Sequence, residues 1–166
     1  MGEVLRKIHF YQVVWVKNNG DRIQKNAQFI HNVLSNISGQ LIPKNDDELL
    51  YLEPYQQTTL SNSAGQFYRI SKIRTRDLPL KFDATKKDIS PLDLKDYEGL
   101  FEPSHFVIFD GKITGAEYNY YGVRWVHSKL VWLINDYLRN NPQIDIKKVE
   151  IKPILKKEVY DLIEKF

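Results

Sequence analysis

The chain has 166 residues, 42% of them hydrophobic and 13% aromatic, and a formal net charge of +3. That length fits one domain spanning residues 1–166, and the composition favours a globular fold with its own core over disorder. Cysteine is absent, which excludes disulfides, thiolate zinc sites, iron–sulfur clusters and cysteine nucleophiles, while the mild positive charge permits a basic patch without demanding a nucleic-acid partner.

The first residues, Met1 to Lys7, hold no apolar stretch of signal-peptide length, and no run approaches the roughly 18 apolar residues of a membrane span. Met1-Gly2 matches the start of a myristoylation motif, but Arg6 stands where that motif takes Ser or Thr. The expectation is a soluble cytoplasmic protein without a membrane partner.

Arg6 to Val16 reads as a strand, with Ile8, Phe10, Val14 and Val16 on one parity and Tyr11, Val13 and Trp15 on the other. Apolar residues on both faces suggest an interior strand. Asn18-Asn19-Gly20 breaks it. Asp21, with Gln24 completing a capping-box pattern, predicts an amphipathic helix over 22–37, its stripe being Ile23, Ala27, Ile30, Leu34 and Ile37. His31 flanks that stripe as a boundary side chain.

Residues 39–48 read as a polar loop, Leu49 to Leu52 as a short strand ended by Pro54, and residues 55–65 as a surface loop rich in Gln, Thr and Ser. Gln66 to Arg76 is a basic strand in which Ile70 and Ile73 differ in parity, so a bulge near Ser71 is expected. Residues 77–103 form a long polar segment of the sort that is often functional. Ser90 as N-cap, Pro91 and Gly99 predict one short helix inside it.

Asp110-Gly111 between alternating apolar residues signals a hairpin with a two-residue turn. In that register Ile108 opposes Ile113 and His105 opposes Ala116, so Glu117 shares an apolar face with Phe106, Ile108, Ile113 and Gly115. Val123 to Arg139 is apolar around most of its circumference and predicts a buried helix. Ile144 to Ile154 is a last strand, with Pro153 arguing for an edge or a terminus, and Leu155 to Phe166 an amphipathic C-terminal helix. The class is α+β, with a mostly antiparallel mixed sheet of about five to six strands, two long helices and the C-terminal helix.

Four constellations could carry chemistry. Tyr68 and Phe67 interleave with Arg69, Lys72, Arg74 and Arg76, a pattern that suits stacked bases and phosphates; a solvated edge strand protected by charge is the alternative and the better-weighted explanation. Tyr118, Tyr120, Tyr121, Arg124 and Trp125 surround a strand-to-helix turn, where free N–H groups suit an anion, or simply pack the helix start. Glu117 on an apolar face has the environment of a general acid, or of a structural ion pair. Val149-Glu150-Ile151-Lys152 has the form of the PD-(D/E)xK nuclease strand, whose Mg²⁺ chemistry needs a further acidic ligand one strand earlier. No nucleophile elbow is present, and His9, His31, His105 and His127 lack metal-ligand spacing, so no metal or other cofactor is expected unless the nuclease reading holds.

The segment Phe101-Glu-Pro-Ser-His-Phe-Val-Ile-Phe-Asp-Gly-Lys-Ile-Thr-Gly-Ala-Glu-Tyr-Asn-Tyr-Tyr-Gly122 resembles a stretch of uncharacterised bacterial proteins found near phage-defence genes and mobile elements. Lys7 to Gln12 is similar to their first strand, while Tyr121-Gly-Val-Arg124 departs from their Tyr-Gly-Pro-Arg. The resemblance implies a bacterial or phage setting and a defence role, and it supplies no catalytic residues. The leading expectation is a non-enzymatic accessory module that contacts a partner protein or a nucleic acid through the basic strand and the aromatic–Arg124 corner. The alternatives are a nuclease using Glu150 and Lys152 with Glu117, and a structural subunit of a homo- or hetero-oligomer.

Overall fold

Alternation of Tyr11, Val13 and Trp15 with Gln12 and Val14 draws the first segment into strand β1 (Ile8–Val16), as the sequence predicts. The computed structural model describes residues 8–46, 48–60, 63–95, 98–109, 113–117 and 123–154. In chain order β1 is followed by β2 (Arg22–Ile23), α1 (Ala27–Ile37), β3 (Leu41–Asn45), β4 (Glu48–Leu60) and β5 (Ser63–Arg74). Then come β6 (Leu80–Asp83), β7 (Asp88–Pro91), β8 (Leu100–Phe109), β9 (Ile113–Glu117), α2 (Val123–Arg139) and β10 (Lys148–Pro153). The class is α+β. An eight-stranded sheet runs β10-β1-β9-β8-β5-β4-β3, with β2 also paired to β1, and β6 and β7 form a separate two-stranded sheet. Every pairing among the described residues is antiparallel.

The sheet is larger than the sequence suggests because segments that read as loops are strands. Residues 41–45 form the edge strand β3 and tolerate Pro43 there. β4 does not end at Pro54 but continues to Leu60, with a register shift between Pro54 and Gln56, and residues 55–60 and 63–65 belong to the outer part of its pairing with β5. The bulge expected near Ser71 is absent: β5 pairs in continuous register with β8 from Gly65 to Arg74. Ile70 and Ile73 simply face opposite sides.

The helix expected from residue 22 starts at Ala27. Arg22 and Ile23 pair with Val16 and Trp15 beyond the point where β9 stops, so β2 completes the ladder of β1. Asp21 serves the turn, its carboxylate accepting from the Asn19 amide at 2.9 Å. Asn26 is the N-cap, accepting from the Phe29 N–H. The buried stripe is Ile30, Val33, Leu34 and Ile37.

Residues 88–91 are strand β7, not the start of a helix. Gly99 lies just before β8, where a Cβ would stand 2.7 Å from Ile73 Cγ2, so it is there for close approach and not as a helix stop. The β8–β9 hairpin pairs Phe109 with Ile113 and Phe106 with Ala116, one residue out of the two-residue-turn register. That shift moves Ile113, Gly115 and Glu117 to the sheet face opposite Phe106 and Ile108. β10 is an edge strand, as Pro153 suggests. The expected C-terminal helix lies outside the described residues.

α1 and α2 cover one sheet face. Trp15, Leu50, Leu52, Ile70, Phe106 and Ile108 meet Ile30, Leu34, Leu130, Leu133 and Ile134 in one core, each almost fully buried. α2 is less enclosed than its composition predicts, since Val131, Trp132 and Tyr137 remain only partly buried along its flank. Two side chains of α2 fasten it to the edge strand. Asn135 Oδ1 accepts the Val149 N–H at 2.8 Å, and His127 Nε2 donates to the Ile151 carbonyl at 2.5 Å while its ring stacks on Tyr11.

Two substitutions separate packing from backbone approach. Ile134→Ala is expected to cost about 2–5 kcal/mol through lost burial and a cavity. Gly99→Ala is expected to cost about 1–3 kcal/mol by forcing β5 and the entry to β8 apart. Urea midpoints at constant m check both.

Candidate functional site

The basic strand does not present its cations together. β5 is interior, and alternation sends Arg69 to one face and Lys72, Arg74 and Arg76 to the other. Arg69 pairs with Glu53 of β4 at 2.5 Å and lies over the Phe101 ring; Arg74 pairs with Glu102 of β8 at 2.8 Å. Lys72 stands opposite Glu102 in the ladder, and Arg76 is exposed beyond the strand end. Tyr68 is buried, stacked on Phe106 at 5.3 Å, and offers no ring to a base. Its hydroxyl lies 2.6 Å from His31 Nδ1. Burial pushes the Tyr68 hydroxyl up to about 12 and lowers His31, so Tyr68 donates and neutral His31 accepts. His31 is thus a boundary side chain with a structural partner.

Tyr118, Tyr120 and Tyr121 lie outside the described residues, and Arg124 and Trp125 fall in the first turn of α2. Glu117 ends β9 with Ile8 opposite it in the ladder.

Glu150 sits in β10 with Val14 opposite it, and Lys152 stands opposite Gln12. The acidic residue that the nuclease strand needs beside it is therefore missing from β1. Instead Arg22, Lys148 and Lys152 all reach the Glu150 carboxylate, at 3.2, 3.1 and 3.2 Å. Hydrogen bonds from Arg22, then Lys148 and Lys152, hold its carboxyl down at about 2. This cluster ties β2 to β10 across the end of β1. Among the described residues no group of three His, Asp or Glu side chains is placed to hold a metal ion.

The feature that sequence reasoning missed is the β6–β7 ribbon. Cross-strand pairing puts Leu80 opposite Pro91 and Phe82 opposite Ile89, so these four residues share one face, with Lys81 and Ser90 on the other. Every residue from Leu80 to Ile89 is exposed; Leu80 is 66%, Phe82 63% and Ile89 62% accessible. Asp83 Oδ1 closes the turn by accepting the N–H groups of Thr85 and Lys86 at 2.9 and 3.0 Å, and Lys87 takes a left-handed φ of 53°. A lone two-stranded ribbon is marginal in water. The signal for it was the alternation Leu-Lys-Phe-Asp and Ile-Ser-Pro, masked by the helix-start pattern of Ser90-Pro91.

A concavity of about 430 Å³ lies between the C-terminal ends of α1 and α2 and the start of β3. Ile37, Ile42 and Leu133 line it, and Asn36, Gln40, Asn140 and Asn141 each donate a side-chain amide back to a carbonyl near these helix ends. It closes the helix ends and offers no converging chemistry.

No helix among the described residues is long and apolar enough to cross a membrane. No family model, curated protein or solved structure matches this chain.

The Glu150 cluster gives a pH-dependent prediction. A carboxyl held near 2 in the folded state, against roughly 4.3 when unfolded, contributes stability above pH 5 that is lost as pH falls toward 2. Glu150→Gln is therefore expected to melt below wild type at pH 7, the gap closing by pH 2 and narrowing in high salt. Equal gaps at both pH values would contradict the ion-pair account.

Proposed function

We propose that this chain is a non-enzymatic binding module that docks a partner protein through the β6–β7 ribbon. The observation that carries the reading is the apolar ribbon face of Leu80, Phe82, Ile89 and Pro91, exposed on an element that the core does not need. An apolar strand pair of this kind gains stability by burying that face against another surface. The basic strand is a weaker contact surface, because Glu53 and Glu102 of the same chain already hold Arg69 and Arg74.

The ribbon deepens the reading of an accessory subunit in the bacterial cytoplasm. The likeness of residues 101–122 to proteins encoded near phage-defence genes suggests a defence complex as its setting. In this reading the chain needs neither metal nor catalytic residue.

The test places a photo-crosslinking residue at position 82 and, as control, at exposed Ser35 on α1. Partner crosslinks are expected from position 82 and not from position 35. The double substitution Phe82→Ser with Ile89→Ser is expected to abolish co-purification of that partner while changing stability by no more than about 0.5 kcal/mol. Unchanged co-purification by a folded double variant would sink the proposal.

A further inference from the structure

The margin of a sheet carries backbone groups open to pairing with another chain, and folds close such margins in specific ways. On β10 the Val149 N–H donates to Asn135 Oδ1 and the Ile151 carbonyl accepts from His127, so side chains of α2 occupy the edge. On β3 the edge is interrupted by Pro43 and the register shift beside it.

The two margins of the β6–β7 ribbon are unlike each other. Opposed residues of an antiparallel pair either exchange both backbone bonds or turn both groups outward. The Ile89 N–H is held by Asp88 Oδ1 at 2.8 Å, which puts the Phe82–Ile89 pair in the outward class. Alternation puts Leu80 and Pro91 there as well. On β7, therefore, one outward N–H is capped and the other does not exist, because the residue is proline. On β6 the outward groups belong to Leu80 and Phe82, the strand contains no proline, and all its residues are exposed. The β6 edge is the one that can take a further strand.

We propose that β6 pairs antiparallel with β6 of a second copy across a two-fold axis, joining two ribbons into one four-stranded sheet. The strand is its own complement in sequence. With Phe82 opposite Phe82 of the second copy, these two residues exchange both backbone bonds, Lys81 stands opposite Asp83 and Asp83 opposite Lys81, and Leu80 meets Ala84. Opposite charges facing one another across a ladder stabilise it. The turn uses Oδ1 of Asp83, which leaves Oδ2 for the lysine. The neighbouring register, Leu80 against Phe82, sets Lys81 against its own copy on the axis, where like charges are unfavourable. Two added strands also remedy the weakness of a lone ribbon, since three or more strands with an apolar face are what an independent sheet needs. The inference goes beyond the reading above, which uses the ribbon's face: pairing at the edge leaves Leu80, Phe82, Ile89 and Pro91 uncovered and doubles the face they form.

Sedimentation velocity on the purified chain is expected to show a concentration-dependent monomer–dimer equilibrium. Lys81→Glu, which sets two carboxylates opposite each other twice, is expected to weaken it about tenfold or more. Mixing Lys81→Glu with Asp83→Lys is expected to restore association, because both cross-strand pairs are then attractive. Asp83→Lys gives up the turn bonds, so a second measurement reads the register without charge. The chain has no cysteine, and Phe82→Cys is expected to form a disulfide-linked dimer under mild oxidation, since residues opposed across a ladder fall within disulfide reach. Ile89→Cys, about 14 Å from its counterpart by strand spacing, is not. A chain that stays monomeric at high micromolar concentration would overturn the proposal, as would dimerisation indifferent to Lys81→Glu or equal linkage through Ile89→Cys. Crosslinks from position 82 to a different protein, made by a monomeric chain, would overturn self-pairing and leave the face-docking reading standing.

Discussion

The ladder on both sides of β5 holds the molecule together. β4 pairs with it from Leu49 to Leu60, and β8 from Leu100 to Phe109. A strand bonded on both sides has no free backbone to offer, and its side chains must find company on two faces. Ile70 and Tyr68 do so in the core. The cations of β5 do so through carboxylates supplied across the ladder, Glu53 from β4 and Glu102 from β8. Charge here accommodates an interior position. Breaking one such pair leaves a partly buried charge facing an empty place, so these ion pairs are costlier to break than exposed ones.

Prolines mark where that ladder thins. Pro43 lies on the edge strand β3; Pro54 lies in β4 beyond the end of β3, and Pro103 in β8 before β9 begins. Each strand has a neighbour on only one side at that point, so a missing N–H costs the sheet little. Bulges gather at two of these places, between Pro43 and Asn45 and between Pro54 and Gln56. One of them aims Lys44 at Trp132. Irregular edges therefore do two things in this fold: they end the pairing, and they redirect side chains.

The same prolines explain what was legible in the sequence. β1, α2, β10 and the basic strand were readable from hydrophobic pattern, and so was the α+β class. β3 and the outer half of the β4–β5 hairpin were not, because Pro43, Pro54 and the Gln-Thr-Ser run read as loop signals while tertiary pairing overrode them. Asp21 resembled a helix cap but closes a turn, leaving Asn26 to cap α1. For the candidate site, the paired state of Arg69 and Arg74 depends on strand order, which residue spacing does not reveal. The pairing of Lys129 with Glu48 and the approach of Lys44 to Trp132 carry no motif; only the bulge in β3 and the approach of α2 create them.

β1 lies between β9 and β10, and both of its long-range partners come from the last third of the chain. During synthesis from the N-terminus, the hairpins β4–β5 and β6–β7 close on themselves as they emerge. β1 has only the short pairing with β2 at Trp15 and Val16 until Ile113 and then Val149 have been made. Pairing across such a separation is intrinsically slow, and an unpaired apolar strand is the state most open to misassociation. Folding in the cell therefore depends on how long this first strand is kept from other chains.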